Sequence, residues 1–506
     1  MVLGLPHFDH LLRGLPTGQS AVLHAEITTE GEQKSMSRTS ASPGQKTPVA
    51  VVGGTLIDGN GGPPQPDSVV LMEQGRFSVV GRRDNVTLPP STTVIDASGQ
   101  FVLPGIMNGN VHLLDAIMMM GKGGAEYLAR FEGRLHEVIE EASQISLRGG
   151  CTTVFDTWNA LVPVLKARDR INAGEAAGAR IFAAGNIVGM GGPFSPDYSM
   201  QSRQVISKTF ADRMDRLFDA GVGRILSTLP PEEVRPIIRD YIAQGIDMLK
   251  VAISDHLVVM LGWQSPYLCF SERVLRVIVD EVRRAGIPLV SHTLSVESLN
   301  LAVDFECDVM IHATITSLQP IPEELLQRMA KGKGWSEIQP TTHGYQCHLD
   351  TTSHPWAGYA GGAHDENTLR LIAAGAPIIL GTDAGCTDPD ILHDLPPEEL
   401  VDRPWSIGSD HLVWMRAMVE KGMTPMNAIL SSTREVARAY GMVKDYGTVD
   451  AGKVADLIVV KRDPLADIAR MSELSAVIKD GVPVDFERLP TTPLVTKYPR
   501  DADSRR

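Results

Sequence analysis

Between residues 104 and 442 the chain repeats one pattern: a short apolar run closes on a polar side chain, and stretches such as Glu272–Ala285 and Thr368–Ala374, with helical periodicity, lie between runs. The runs are Ile106–His112, Thr152–Thr157, Arg180–Ala184, Met248–Ile253, Pro288–His292, Val309–His312, Glu337–Thr342 and Ile378–Asp383. Near-continuous apolar runs of this length suit strands buried on both faces, and strands alternating with helices form parallel sheets. The pattern therefore constrains this region to an α/β architecture.

The stretch from Phe101 to Leu114 is the most informative. An apolar run ends in Pro104-Gly105, and a strand then offers Asn110 and His112 two positions apart. Strand side chains alternate, so these two share a face. Two ligands aimed inward from one strand can begin a metal site. Lys250, His292, His312 and Asp383 follow, each closing its own apolar run. Taken singly, each has a plainer explanation. A lone His at a strand end is usually a hydrogen-bonded core residue, a lone Lys snorkels or pairs, and an Asp before Ala-Gly caps a helix. Burying all of them without partners is costly, and one shared divalent cation supplies a common partner.

In this order the residues resemble the signature of the amidohydrolase superfamily: a Pro-Gly…His-x-His first strand, then Lys, His, His and Thr-Asp. The closing segment Gly447–Val460 resembles that family's terminal GxxxxGKxADL strand pair, so the resemblance spans residues 49 to 480. It implies an α/β fold with a (β/α)8 TIM-type barrel over 104–442, its chemistry at the C-terminal strand ends. It also implies a small discontinuous β-sandwich domain built from 49–103 and 443–490. The short strands at Val49–Val52, Ser68–Met72, Phe77–Val80 and Thr93–Asp96, punctuated by Gly, Pro and Asn, agree with that. Residues 1–48 are expected to be a disordered leader, with Met36 the favoured start, and 491–506 a tail.

The same resemblance implies roles. Asn110, His112 and Asp383 match ligands of an inner metal, and His292 and His312 those of an outer one. Lys250 matches a lysine that reacts with CO2 to form a bridging carbamate, which is reasonable for a desolvated amine. One or two divalent ions (Zn, Co or Mn) are expected. Asp383 would act as general base and then acid, and His312 or nearby His343 would steady the oxyanion.

One position departs from the family pattern: Asn110 stands where the family usually has His. An amide oxygen is a neutral and weaker ligand than imidazole, so the inner metal is held loosely, is a different ion, or is absent. The Asn-x-His variant resembles a subgroup typified by phenylurea hydrolases and the thiocarbamate (molinate) hydrolase. That implies hydrolysis of a C–N or thiocarbamate bond at a carbonyl, with N-aryl ureas or thiocarbamates as substrates. An Xaa-Pro dipeptidase is the alternative, for which Lys122, Arg130 or Arg134 would bind the substrate carboxylate. A non-catalytic metal-binding relative is the second, and intact Lys250 and Asp383 argue against it.

Composition narrows the partners. A formal net charge of −14 argues against nucleic acid and anionic membranes, which want a basic face. Five cysteines, odd in number and without Cys-x-x-Cys spacing, argue against a disulfide framework and fit a cytoplasmic protein. The sequence has no long apolar span and no signal-peptide pattern. The expected partners are thus a small-molecule urea, carbamate or amide and, by family analogy, further copies of the chain. Ala116–Met120, Trp158, Met190 and Phe194 would either suit aryl or alkyl groups or serve ordinary core packing, and the loop Thr341–Gly362 would form part of the mouth.

Overall fold

The structure, a computed structural model, describes residues 47–497 apart from 117–122, 199, 257–266, 318, 352–362, 390–391, 393–394 and 396. The expected leader lies outside the described residues, as do Met118–Met120, Lys122 and His354.

Five strands open the described chain: β1 (Val49–Leu56), β2 (Gln65–Glu73), β3 (Arg76–Arg82), β4 (Thr93–Asp96) and β5 (Phe101–Pro104). Alternation along β1 fills two cores at once. Val49, Val51 and Leu56 join Val70, Met72 and Phe77 on one face, whereas Ala50 and Val52 meet Val69 and Leu71 on the other. Gly53, at φ 85°, sits where the β1–β2 register shifts, a left-handed backbone that glycine accepts freely.

Next come the barrel strands β6 (Ile106–Leu114), β7 (Cys151–Asp156), β8 (Arg180–Ala183), β9 (Leu249–Ala252), β10 (Leu289–His292), β11 (Val309–Ile311), β12 (Trp335–Ile338) and β13 (Ile378–Leu380). β6–β7–β8 pair in parallel, as do β9 through β13 in sequence order. A parallel bridge from Val188 to Val251 carries the order from β8's end to β9. Past β13, the amides of Thr382 and Asp383 donate to the Asn110 carbonyl at 2.8 and 3.0 Å, tying the last strand to the first. A short strand β14 (Ala384–Cys386) then runs parallel to β6. The fold is a (β/α)8 barrel.

Barrel interiors are filled by side chains, and here Met107, Phe155, Met248, Val290, Val309, Ile311 and Ile379 meet inside, with Tyr440 beneath them. Among the helices on the outside, α1 (Leu135–Arg148) and α2 (Leu161–Asn172) cover β7 and β8. α3 (Pro231–Ala243) packs on α4 (Glu272–Ala285), which buries Val274, Leu275, Ile278 and Val282 at helical spacing and stops at Gly286, φ 68°.

The chain ends return to the first sheet through β15 (Leu457–Val460), β16 (Leu474–Lys479) and β17 (Val482–Pro483). β15 pairs antiparallel with β5, giving an eight-stranded sheet built from segments before and after the barrel. Leu494, Val495 and Thr496 then lie against α1, their amides donating to the Glu141 carboxylate.

Two local expectations differ. β12 ends at Ile338 rather than Thr342, because Pro340 has no amide to continue the ladder. The expected loop after it contains a helix, His343–Thr351. Among the described residues no helix is long and apolar enough to cross a membrane.

Candidate metal centre

All nine residues of β6 are buried. Asn110 and His112 emerge on one face, as the strand period requires. The Asn110 amide donates from Nδ2 to Asp383 Oδ1 at 2.7 Å, while its Oδ1 accepts from Thr157 Oγ1 at 2.6 Å. A carboxylate only accepts, so the amide NH2 must face Asp383 and the oxygen must face Thr157. Thr157 in turn accepts from Lys250 Nζ at 3.0 Å. Asp383 is also 3.4 Å from His112 Nε2 through Oδ1 and 3.5 Å from His312 Nε2 through Oδ2. The His312 ring lies 4.9 Å from that of His292, centre to centre. The structure thus brings all six residues singled out by their strand-end positions into one connected, buried group.

The backbone around them is held firmly. His312 and Asp383 occupy left-handed conformations, φ 61° and 54°, an uncommon state for residues with side chains and one that collects at functional sites. The His312 amide donates to Glu337 Oε2 at 2.9 Å, and that of Asp383 bonds Asn110 as above. Between strands eight and one, Gly381 leaves no room for a side chain: a Cβ would stand 2.4 Å from Glu337 Cγ and 2.7 Å from Asn110 Cβ. Beneath the site Asp410 accepts from Asn108 Nδ2 at 2.8 Å and from Thr382 Oγ1 at 2.7 Å, fixing the first and eighth strands to the next helix.

Burial sets the charge states. It holds His112 down at about 3 and His312 at about 4, and His292 and His256 well below the ordinary imidazole value, so these rings are neutral. Burial also lowers Lys250 to about 8 and raises Asp156 to about 7 and Glu337 to about 8. Burial raises the Asp383 carboxyl, but its interactions with His112, His312 and Lys250, together with the hydrogen bond from the Asn110 amide, hold it below the ordinary carboxylate value.

The donor set fits a divalent ion. Both ring nitrogens of His112 and of His292, Nδ1 of His312 and of His256, and Oε1 of Glu337 are buried without a hydrogen-bond partner. Buried polar atoms are normally paired, and neutral imidazoles beside a carboxylate are ligands of zinc-like cations. Ligand atoms of His256, His292 and His312 all lie within 4.8 Å of one another.

Several other expected contacts are elsewhere. His343 is exposed on the helix His343–Thr351, with Cys347 Sγ 3.8 Å from its Nε2. Arg130 binds Asp388 and Glu126, and Arg134 binds Glu137. Trp158, Met190 and Phe194 belong to the main hydrophobic core, although Trp158 also sets its ring 5.6 Å from that of His112. Sequence reasoning passed over His256, Glu337, Asn108 and Asp410, and took Thr157 only as a strand end. Thr157 closes its run as visibly as the ligand candidates do. His256 lies beyond β9, after Ser254-Asp255, where no periodicity marks it.

Among solved structures, a molinate hydrolase is 58% identical, with a TM-score of 0.89 over 90% of this chain and 98% of that one. Phenylurea hydrolase B is 48% identical, with a TM-score of 0.87 over 90% of this chain and 100% of its own. A Xaa-Pro dipeptidase shares the fold at 22% identity and a TM-score of 0.67. The sequence model of the amidohydrolase family matches residues 101–484, from the strand before the first polar pair to the end of the returning sheet. With the barrel and its buried strand-end cluster, that match establishes that the chain belongs to the amidohydrolase family.

Proposed function

We propose that this amidohydrolase cleaves the C–N or thiocarbamate bond at the carbonyl of an N-aryl urea or thiocarbamate, the herbicide-type substrates. The observation that carries the reading is the buried Asn110–His112–Lys250–His292–His312–Asp383 group in a chain 58% and 48% identical to molinate hydrolase and phenylurea hydrolase B. His112, His292, His312 and Asp383 would hold one or two divalent ions (Zn, Co or Mn), with Asn110 on the inner side. Lys250, desolvated and within reach of the neutral amine, would ligate as a carbamate. A bound cation of this kind supplies Lewis acidity to a carbonyl and acidifies a water molecule.

The chain's own residues do the rest. Asp383, ionised and fixed by the Asn110 amide, takes the proton of the attacking water and delivers it to the leaving nitrogen or sulfur. His312, whose Nε2 lies 3.5 Å from the other carboxylate oxygen, donates toward the developing oxyanion. The sheet joining residues 49–103 to 443–490 acts as one discontinuous support domain. Five free cysteines agree with a cytoplasmic setting, and assembly into a homo-oligomer is part of the same proposal.

The test is turnover of three compounds, an N-aryl-N′,N′-dialkyl urea, a thiocarbamate and an Xaa-Pro dipeptide, by purified protein with and without added divalent metal. Metal-dependent cleavage of the urea or thiocarbamate is expected. Cleavage of the dipeptide alone would transfer the protein to the dipeptidase reading, and no turnover by metal-loaded protein would make it a non-catalytic relative.

A further inference from the structure

We infer that His256 is a ligand of the site's divalent ion, completing a three-imidazole donor set with His292 and His312 and replacing the imidazole that the first strand lacks at Asn110.

Three observations converge on it. First, Asn110 is engaged at both ends of its amide. Its oxygen, the only atom of that side chain suited to a cation, accepts from Thr157, and its NH2 donates to Asp383. Freeing the oxygen would strand the Thr157 hydroxyl and turn amide hydrogens away from the carboxylate. Second, His256 closes on the pair from the other side. Its ring centre is 4.2 Å from that of His292, at 89°, and that of His292 is 4.9 Å from His312. Third, each of the three rings carries a buried nitrogen without a hydrogen-bond partner. Both of His292 and Nδ1 of His256 and of His312 are buried and make no hydrogen bond.

The distances suit a common ion. The ligand atoms lie within 4.8 Å of one another. Imidazole nitrogens bind zinc-like ions at about 2.0–2.1 Å, so inward turns of under about 1 Å bring the three into coordination. The three come from consecutive positions around the barrel: His256 shortly after β9, His292 at the end of β10 and His312 just past β11. Tyr198 packs edge-on against His256, its ring 5.3 Å from the imidazole. Three imidazoles with one open position is a donor set used by catalytic zinc sites. The inference rests on the reading that the site holds a divalent ion, and goes beyond it in naming this ligand.

The test is Co(II) titration of the full-length, chelator-stripped protein, read by metal analysis and by the visible spectrum. Wild type and His256→Ala are compared after confirming that the two stripped proteins melt alike. His256→Ala is expected to lower Co(II) affinity at least tenfold and to alter the visible band. His256→Cys, which offers a thiolate, is expected to keep the ion and add a thiolate-to-cobalt charge-transfer band. Wild-type affinity and an unchanged spectrum in His256→Ala, or a His256→Cys protein that binds cobalt without the new band, would overturn the inference. Failure of the wild type to bind cobalt would count against the ion itself, and so against the proposed function.

Discussion

Thr157 is a buried hydroxyl between Lys250 and Asn110, accepting from one and donating to the other. Through it the lysine of the fourth barrel strand and the amide of the first are held in one orientation, and the amide then fixes Asp383. Thr157→Val keeps the shape and removes both bonds. It leaves the Asn110 oxygen unpaired, a loss of about 1–3 kcal/mol of stability. Because supporting hydrogen bonds of this kind are worth about 10–100-fold in activity, kcat is expected to fall by at least about tenfold while KM changes little. Thr157→Ser, which restores the hydroxyl, should recover most of it, and steady-state kinetics of the two variants checks this. The legible residues were those whose position gives them away. His112, Lys250, His292, His312 and Asp383 each interrupt or close an apolar run, and burial of such groups demands a partner. Glu337 gave no such sign: it lies within a strand, and only the fold reveals that its carboxylate is buried against the His312 amide. His256 sits in a connecting segment where sequence periodicity is silent.

At the scale of elements, the eighth and first strands approach so closely at Gly381 that a Cβ there would stand 2.4 Å from Glu337 and 2.7 Å from Asn110. Gly381→Ala is expected to push Glu337 and Asn110 apart, destabilising the fold by about 1–3 kcal/mol and reducing activity more than its effect on melting accounts for. Thermal melts and kinetics on the same preparation separate the two. The α3–α4 pair carries a second element-scale device. Burial raises the Glu281 carboxyl, but hydrogen bonds from Arg239, Arg235 and Arg284 outweigh it and hold the group at about 2. The folded value lies below the unfolded one, so the stabilisation is complete above about pH 4.3 and disappears as pH falls toward the folded value. Glu281→Gln is therefore expected to lower the melting temperature at pH 7, with the difference shrinking between pH 4.5 and 2. A difference independent of pH would contradict this. Strand ends followed local chemistry where it was strong: Pro340 stopped β12 earlier than apolar character suggested, and the helix His343–Thr351 was hidden because its polar, histidine-rich sequence lacks an apolar stripe.

Across the described residues, bonds from Thr382 and Asp383 to Asn110 tie the last barrel strand to the first, and one sheet unites segments from before and after the barrel. Arg180, buried at the start of β8, links barrel and sheet by binding Asp456 and Asp480 and lying 4.7 Å from the Tyr446 ring centre. The pairing of β15 with β5 joins positions some 350 residues apart and leaves no local trace in either strand. That join, like the number of barrel strands, was readable only through family resemblance, whereas the alternating α/β character was readable from the residues. The buried imidazole nitrogens also connect site and stability. An ion bound only to the folded state stabilises it by mass action, so chelation is expected to lower the melting temperature and re-addition of metal to restore it. The decisive measurement is turnover of the urea and thiocarbamate by metal-loaded Asp383→Asn beside metal-loaded wild type, with metal content determined in both. Loss of the proton-transfer group should reduce kcat by about 10²–10⁴-fold in protein that still contains metal. Undiminished turnover by Asp383→Asn would contradict hydrolysis at this cluster.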